Sequence, residues 1–276
     1  MLKPLLAATL LIGCVASSKA QLKTPAPSTT QTIKQDFGVG SIELSYSRPG
    51  MKTRKIFGEL VPFNKVWRTG ANQATTLTFT DSVTVGTQKI APGKYGLLSI
   101  PNKDEWTMII TKQLDVTSPA AYKQENDVVR LNVKPTKIPA TMETFTMQFA
   151  NVAPTSVELH LMWENTDVSL PISTDYDRKV LASINQSLAD SRPFYQAAMY
   201  YLETGKDLDQ AIAWFHKATD QNPNAYWVYH QLGNALAKRG KKEEARAAAT
   251  KSLELARQAK NDDYVKLNET LLASLK

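Results

Sequence analysis

From Ser41 to Ser47 apolar and polar residues alternate, with Ile42, Leu44 and Tyr46 on one side and Ser41, Glu43, Ser45 and Ser47 on the other. A period of two turns one set toward a core and the other toward water, so 31–48 reads as a strand, or a pair of strands broken by Gly38 and Gly40. Arg48-Pro49-Gly50 ends it as a turn. Short β-rich runs recur at 75–80, 82–85, 94–100 and 106–111, the last two joined by Pro101-Asn102-Lys103-Asp104 into a hairpin. Others follow at 128–133, 144–149, 156–163 and 167–172, the final pair separated by the polar Glu164-Asn165-Thr166. That makes about ten short strands, the spacing of an antiparallel sandwich or barrel. Only 119–125 carries a helical hint among them.

Between Ser47 and Thr76 neither period holds. Turn residues are mixed with Ile56, Phe57, Leu60, Val61, Phe63, Val66 and Trp67, which predicts a long structured connection pinned by buried side chains. Loops of that length carry function or cover a core.

From Tyr176 onward the period changes to that of helices. Segments are expected at 177–189, 194–202, 208–219, 225–239, 242–260 and 263–275, punctuated by Pro193, Gly205, Asn222-Pro223 and Gly240. Tyr195 and Tyr229, Leu202 and Leu236, Ala211 and Ala245, and Phe215 and Ala249 are each 34 residues apart, the tetratricopeptide period. Tyr229, Leu232, Gly233, Leu236 and Ala245 occupy the packing positions of such a repeat in the second unit; in the first, Met199 stands where glycine is expected. The expected fold is an antiparallel β-sandwich or barrel-like domain over 31–174, then a tetratricopeptide-like helical hairpin domain over 175–276.

The first twenty residues read as an export signal: Lys3 is the positive end, 5–15 the apolar core, and Ser18-Lys19-Ala20 the small-residue cleavage site. Residues 21–30, rich in Ser, Thr and Pro, read as a disordered leader. Leu11-Ile12-Gly13-Cys14 offers an alternative, a bacterial lipobox that would lipidate Cys14 and hold the protein at a membrane. Cys14 is the only cysteine, so neither a disulfide nor thiol chemistry is expected after cleavage. A composition 42% hydrophobic and 21% charged suffices for a full core. Two of the seven net positive charges, Lys3 and Lys19, fall in the signal, and the rest are interspersed with acids. No dense basic stripe marks a nucleic-acid binder.

Candidate chemistry gathers in the long connection. Arg48, Lys52, Arg54, Lys65 and Arg68 can line an anion site, since guanidinium groups take carboxylate or phosphate through paired hydrogen bonds. The Thr69 hydroxyl, the Asn72 amide and the backbone at Gly70 can complete it. The structural alternative takes precedence: Arg68 and Arg48 hold the loop to the sandwich by bonding buried carbonyls or an acid such as Glu59, while Trp67 plugs the core. His160 shares a strand face with Glu158, Met162 and Glu164, a weak pattern for proton transfer and weaker for a metal. Trp106 and Trp163 alternate with core residues, so core packing is preferred to a sugar-stacking platform. His216 and His230 lie within the repeats. Nucleophile-elbow, Walker, CxxC and dinucleotide motifs are absent, and no cofactor or metal is expected.

The β-half resembles the domain of unknown function 2911 family. Ser47-Arg48-Pro49-Gly50-Met51-Lys52, Arg54-Lys55-Ile56-Phe57-Gly58, Leu60-Val61-Pro62, Val66-Trp67-Arg68-Thr69-Gly70-Ala71-Asn72, Pro92-Gly93-Lys94-Tyr95 and Met162-Trp163-Glu164 carry the likeness. The resemblance implies export in a Gram-negative bacterium, to the periplasm or envelope, and trailing helical repeats; it implies no activity. The expected function is therefore an exported binding or scaffold protein, its β-domain taking a small anionic or sugar ligand and its repeats a protein partner. The alternative is an extracytoplasmic hydrolase, with Arg68 and Asn72 stabilising an anion and His160 or Glu164 moving protons.

Overall fold

The computed structural model describes residues 24–190 and 192–275. The export signal over 1–20, its cleavage point after Ala20, Cys14 and the start of the leader lie outside the described residues. Two compact units follow, meeting at Asp175 and Tyr176.

Among the described residues the first unit contains ten strands: β1 (Thr29–Phe37), β2 (Gly40–Arg48), β3 (Thr76–Phe79), β4 (Val83–Val85), β5 (Gln88–Ile90), β6 (Gly93–Ile100), β7 (Trp106–Thr111), β8 (Asp127–Val133), β9 (Thr136–Ala150) and β10 (Ser156–Ser173). They form a six-stranded sheet, β1-β2-β3-β6-β7-β8, and a four-stranded sheet, β5-β4-β10-β9. All pairings are antiparallel. The alternation read in the sequence places Ile42, Leu44, Leu77, Leu97 and Met108 of the larger sheet in one buried cluster with Phe145, Met147, Leu159, Leu161 and Trp163 of the smaller. Tyr46 and Arg48 fasten the layers together. The Tyr46 hydroxyl accepts from the Met147 amide at 2.8 Å, and Arg48 donates to the Phe145 carbonyl at 3.2 Å and the Thr146 hydroxyl at 2.8 Å.

Three expectations change. Thr29 and Thr30, assigned to the leader, already pair in β1 with Arg48 and Ser47. The segment 136–142 belongs to β9; Pro139 masked it, and β9 is an edge strand, where a missing N–H is tolerated. The turn expected at Glu164-Asn165-Thr166 is instead a pair of register irregularities inside one continuous strand, β10. Val157, Leu159, Leu161 and Trp163 are buried before it, and Val168, Leu170 and Ile172 after it. The buried set passes from odd to even positions, so the irregularity reverses which residues face the core.

The second unit contains α1 (Asp177–Asp190), α2 (Phe194–Thr204), α3 (Leu208–Gln221), α4 (Tyr226–Lys238), α5 (Lys242–Gln258) and α6 (Asp262–Ser274). Asp207 caps α3 by accepting from the Gln210 amide at 3.0 Å, and Gly205 takes the left-handed conformation that ends α2. Gly233 on α4 lets α5 and α6 approach: a Cβ there would lie 3.1 Å from Leu271 and 3.4 Å from the Ala245 carbonyl. Beside it, the Asn268 side-chain carbonyl of α6 accepts from His230 Nδ1 at 2.8 Å and its amide donates to Ser252 at 2.8 Å, which in turn donates to the Tyr226 carbonyl at 2.7 Å. This buried polar chain joins three helices. No described helix is long and apolar enough to cross a membrane.

Candidate ligand-binding cleft

The connection between β2 and β3 is held at both ends by backbone pairing. Gly50 bridges to Thr144 of β9, with the Met51 amide donating to the Glu143 carbonyl at 2.7 Å. Trp67 bridges to Ser99 of β6 through two bonds of 2.7 and 3.0 Å, beyond the reach of β3. One loop is therefore stitched to both sheets. Its side chains complete the core: Ile56 is fully buried, Phe57 sits 4.9 Å from Trp106, and Trp67 stacks on Trp163 at 5.9 Å with its edge toward Phe145 at 5.1 Å. Trp106 and Trp163 are accordingly core residues.

This path demands unusual backbone. Lys52, Thr53, Asn64, Thr69 and Asn72 all have φ between +50° and +65°. That is uncommon for any residue with a side chain and strained for β-branched threonine. Gly70, at φ +154°, passes so close to Ser47 that a Cβ would lie 3.1 Å from its carbonyl oxygen.

Above the tryptophans the loop encloses a cleft of about 530 Å³. One wall runs through Leu60, Val61, Pro62, Val66 and Trp67, with Trp163 also lining the cavity. Thr117, Ser118 and Pro119 line another part; they are placed by Val116, buried against Leu98 and Ile109 on the outer face of the larger sheet. Pro27 and Ser28 close a third side. Lys52, Arg54, Lys65 and Arg68 bring four cations to the lining, which contains no carboxylate and no side-chain amide. An acid-free cluster of this kind raises the local potential for anions.

The six candidate ligand residues separate. Lys52, Arg54 and Arg68 line the cleft, as does Lys65; Arg48, Thr69 and Asn72 do not. Arg48 is committed to β9. Thr69 is fully buried, its hydroxyl 2.9 Å from that of Ser99. Asn72 donates to the Ser28 carbonyl at 3.0 Å and so ties down the chain entering β1. Arg54 donates to the Met51 and Gly50 carbonyls, both at 2.8 Å, and Arg68 to the Thr117 carbonyl at 2.5 Å. Arg48 and Arg68 thus bond carbonyls as expected, though that of Arg68 belongs to the exposed Thr117, and Glu59 pairs with Lys55 instead. The Arg68 Nε is enclosed and has no acceptor among the described residues, while Nη2 is neither enclosed nor bonded to any of them.

His160 and Glu164 are not brought together with this cleft. His160 lies between Asp167, 2.8 Å from Nδ1, and Glu158, 3.2 Å from Nε2. The Asn151 amide, the Ser169 hydroxyl and His160 hold the Glu158 carboxyl below its usual range, the Asn151 bond being the largest contribution. Asp167 was missed because the register reversal hid that it faces His160. Glu164 lies 3.5 Å from the Phe57 amide. No group of three or more potential ligand side chains is arranged to hold a metal ion among the described residues. The residues needed by the hydrolase alternative therefore do not converge on one cavity. Nothing local in the sequence pointed to Thr117–Pro119 or Pro27 as cleft walls, since only the tertiary fold brings them to the loop.

Fold and cleft define the class as a two-sheet antiparallel β-domain followed by tetratricopeptide-like helices. Residues 28–172 match the family described as a protein of unknown function (DUF2911), and the chain belongs to that family. Residues 214–247 match a tetratricopeptide repeat, consistent with a protein-interaction role. No curated protein and no solved structure matches the chain.

Proposed function

We propose that this is an exported binding protein of a Gram-negative envelope, whose β-domain cleft holds a small anionic ligand and whose helical repeats dock a protein partner. The observation that carries the ligand half is the cleft lining: four cations and no carboxylate around a cavity of about 530 Å³. That volume suits a small organic molecule. The ammonium groups of Lys52 and Lys65 have no ion-pair partner among the described residues, so their charge is available to a ligand. The export half is supported by the signal pattern of residues 1–20, and the partner half by the repeat match at 214–247.

The test is calorimetric titration of the intact mature chain with small organic anions, on wild type and on Lys52→Ser/Lys65→Ser. Binding that weakens with salt and falls about tenfold in the double variant is expected, each exposed charge contributing roughly 1 kcal/mol or less. Failure of every anion to bind, or unchanged affinity in the variant, would remove the reading. Mass analysis of the mature N-terminus, beside fatty-acid labelling of wild type and Cys14→Ser, separates cleavage after Ala20 from lipidation.

A further inference from the structure

We infer that the cleft is built for a hydrophobic organic acid, a single anionic head on an apolar body, and that the head is received at Arg68. The inference rests on the anion-cleft reading above and makes it specific.

The body follows from what the walls can and cannot do. Apart from its cations, the lining offers side-chain hydrogen-bonding groups only at Ser28, Thr117 and Ser118, beyond the indoles. The Trp67 indole N–H is already given to the Gly70 carbonyl at 3.1 Å, and that of Trp163 to the Glu143 carbonyl at 3.3 Å. A sugar acid placed here would bury several hydroxyls against prolines, valine and indole faces, leaving most of them unpaired. An inorganic polyanion would leave the same apolar surface unused. A hydrophobic acid uses both halves of the lining.

Leu60 adds an independent observation. It is 43% exposed, one of five large apolar side chains so exposed among the described residues, and it lines this cleft. A leucine held in water beside an otherwise apolar wall is surface that an apolar ligand body would cover.

The head follows from the arginines. Arg48 and Arg54 each commit Nε to a carbonyl, at 3.2 and 2.8 Å. Arg68 gives one terminal nitrogen to Thr117, while its enclosed Nε lacks an acceptor. The other terminal nitrogen, Nη2, is not enclosed and has no partner among the described residues, so a carboxylate or phosphate oxygen entering the cleft can accept from it, and the charge-assisted bond is stronger than one to a neutral group. Lys52 and Lys65 then act as a diffuse attracting field.

The experiment is titration of the intact mature protein with naphthalene-2-carboxylate, its methyl ester, glucuronate and inorganic phosphate. Naphthalene-2-carboxylate should bind at least about tenfold more tightly than each of the other three. Arg68→Lys, which keeps the charge but not the planar fork, should lose about tenfold for the carboxylate. Leu60→Ser, a change at an exposed position that leaves the core intact, should weaken naphthalene-2-carboxylate severalfold and leave glucuronate unchanged. Glucuronate or phosphate binding as well as the aromatic acid would overturn the inference while the anion cleft survives. Equal affinity for the ester would remove the anionic head, and wild-type affinity in Arg68→Lys would remove Arg68 as its seat. If none of the anions binds, the cleft reading fails and takes this inference with it.

Discussion

Trp67 is where the connecting loop enters the core, so replacing it by alanine tests whether the loop is a structural closure. In the native structure the indole stacks on Trp163 at 5.9 Å, meets Phe145 at 5.1 Å and Phe57 at 6.3 Å, and donates to the Gly70 carbonyl at 3.1 Å. Truncating a buried Trp or Phe to alanine costs about 3–5 kcal/mol; Trp67 is only half-buried, so about 3 kcal/mol is expected. That is a large share of the roughly 5–15 kcal/mol that holds a domain together. The assay is amide hydrogen exchange resolved by residue, because the two units need not unfold together. The Ser99 amide donates to the Trp67 carbonyl and the Leu97 amide to that of Thr75, so both report on this closure. Their exchange should accelerate about a hundredfold in Trp67→Ala, given a factor of ten per 1.4 kcal/mol. Trp67→Phe, which keeps a ring against Trp163, should lose less than half of that in free energy. Amides of α4 and α5 should be unaffected. An acceleration at Ser99 below about fivefold, corresponding to roughly 1 kcal/mol, would refute the claim that this side chain closes the sandwich.

Two further predictions follow from the β-domain. Burial, helped by the hydrogen bond to Asp127, pushes the Tyr122 phenol up to about 12. Its folded value is raised, so its contribution is fully present below the unfolded value of about 10 and is lost as pH rises through the folded one. Phenolate absorbance should show Tyr122 titrating late, beside Tyr46 and Tyr195, whose values are also raised by burial, and Tyr122→Phe should remove one late step and its share of the decline in stability. Deleting Asn165 should leave the β-domain folded with a straighter β10: three residues in place of four would then separate Trp163 from Val168, so one uninterrupted alternation keeps both buried sets on the core side. An unfolded deletion variant would refute this and show that the irregularity itself is required, since exposing Val168, Leu170 and Ile172 at about 1.5–3 kcal/mol each rivals the whole stability of a domain. Asn165→Ala, losing only the bonds to Ile138 and Thr141, should remain folded by circular dichroism and protease resistance.

Much of this architecture was legible because single elements state their environment locally. Ile42, Leu44 and Tyr46 declare a buried strand face, and the spacing from Tyr195 to Tyr229 declares a helical repeat. What was not legible depended on relations between elements. The switch from Trp163 to Val168 in β10 breaks the local period and so resembles a turn, although the strand continues. Pro139 argues against a strand interior until β9 is known to be an edge. The cleft was half visible: Lys52, Arg54, Lys65 and Arg68 advertise an anion site, but charge alone does not distinguish them from Arg48, which the fold spends on β9.

That division between Arg48 and Arg68 explains why the structural and functional readings of this loop need not compete. The core requires a plug at the end of the sandwich, and Ile56, Phe57 and Trp67 supply it from a chain that must bridge β9 and β6. A chain taking that route must bend sharply, and the positive-φ residues from Lys52 to Asn72 are the consequence. Within the segment 60–68 Trp67 stacks on Trp163, and beside that stack a cavity remains, lined by Leu60, Val61, Pro62 and Val66. Arg54 and Arg68, already present to hold carbonyls in the bends, then line with Lys52 and Lys65 a largely apolar cleft whose lining contains no carboxylate. A site for a hydrophobic acid is thus what remains when this closure is made from arginine- and lysine-bearing turns.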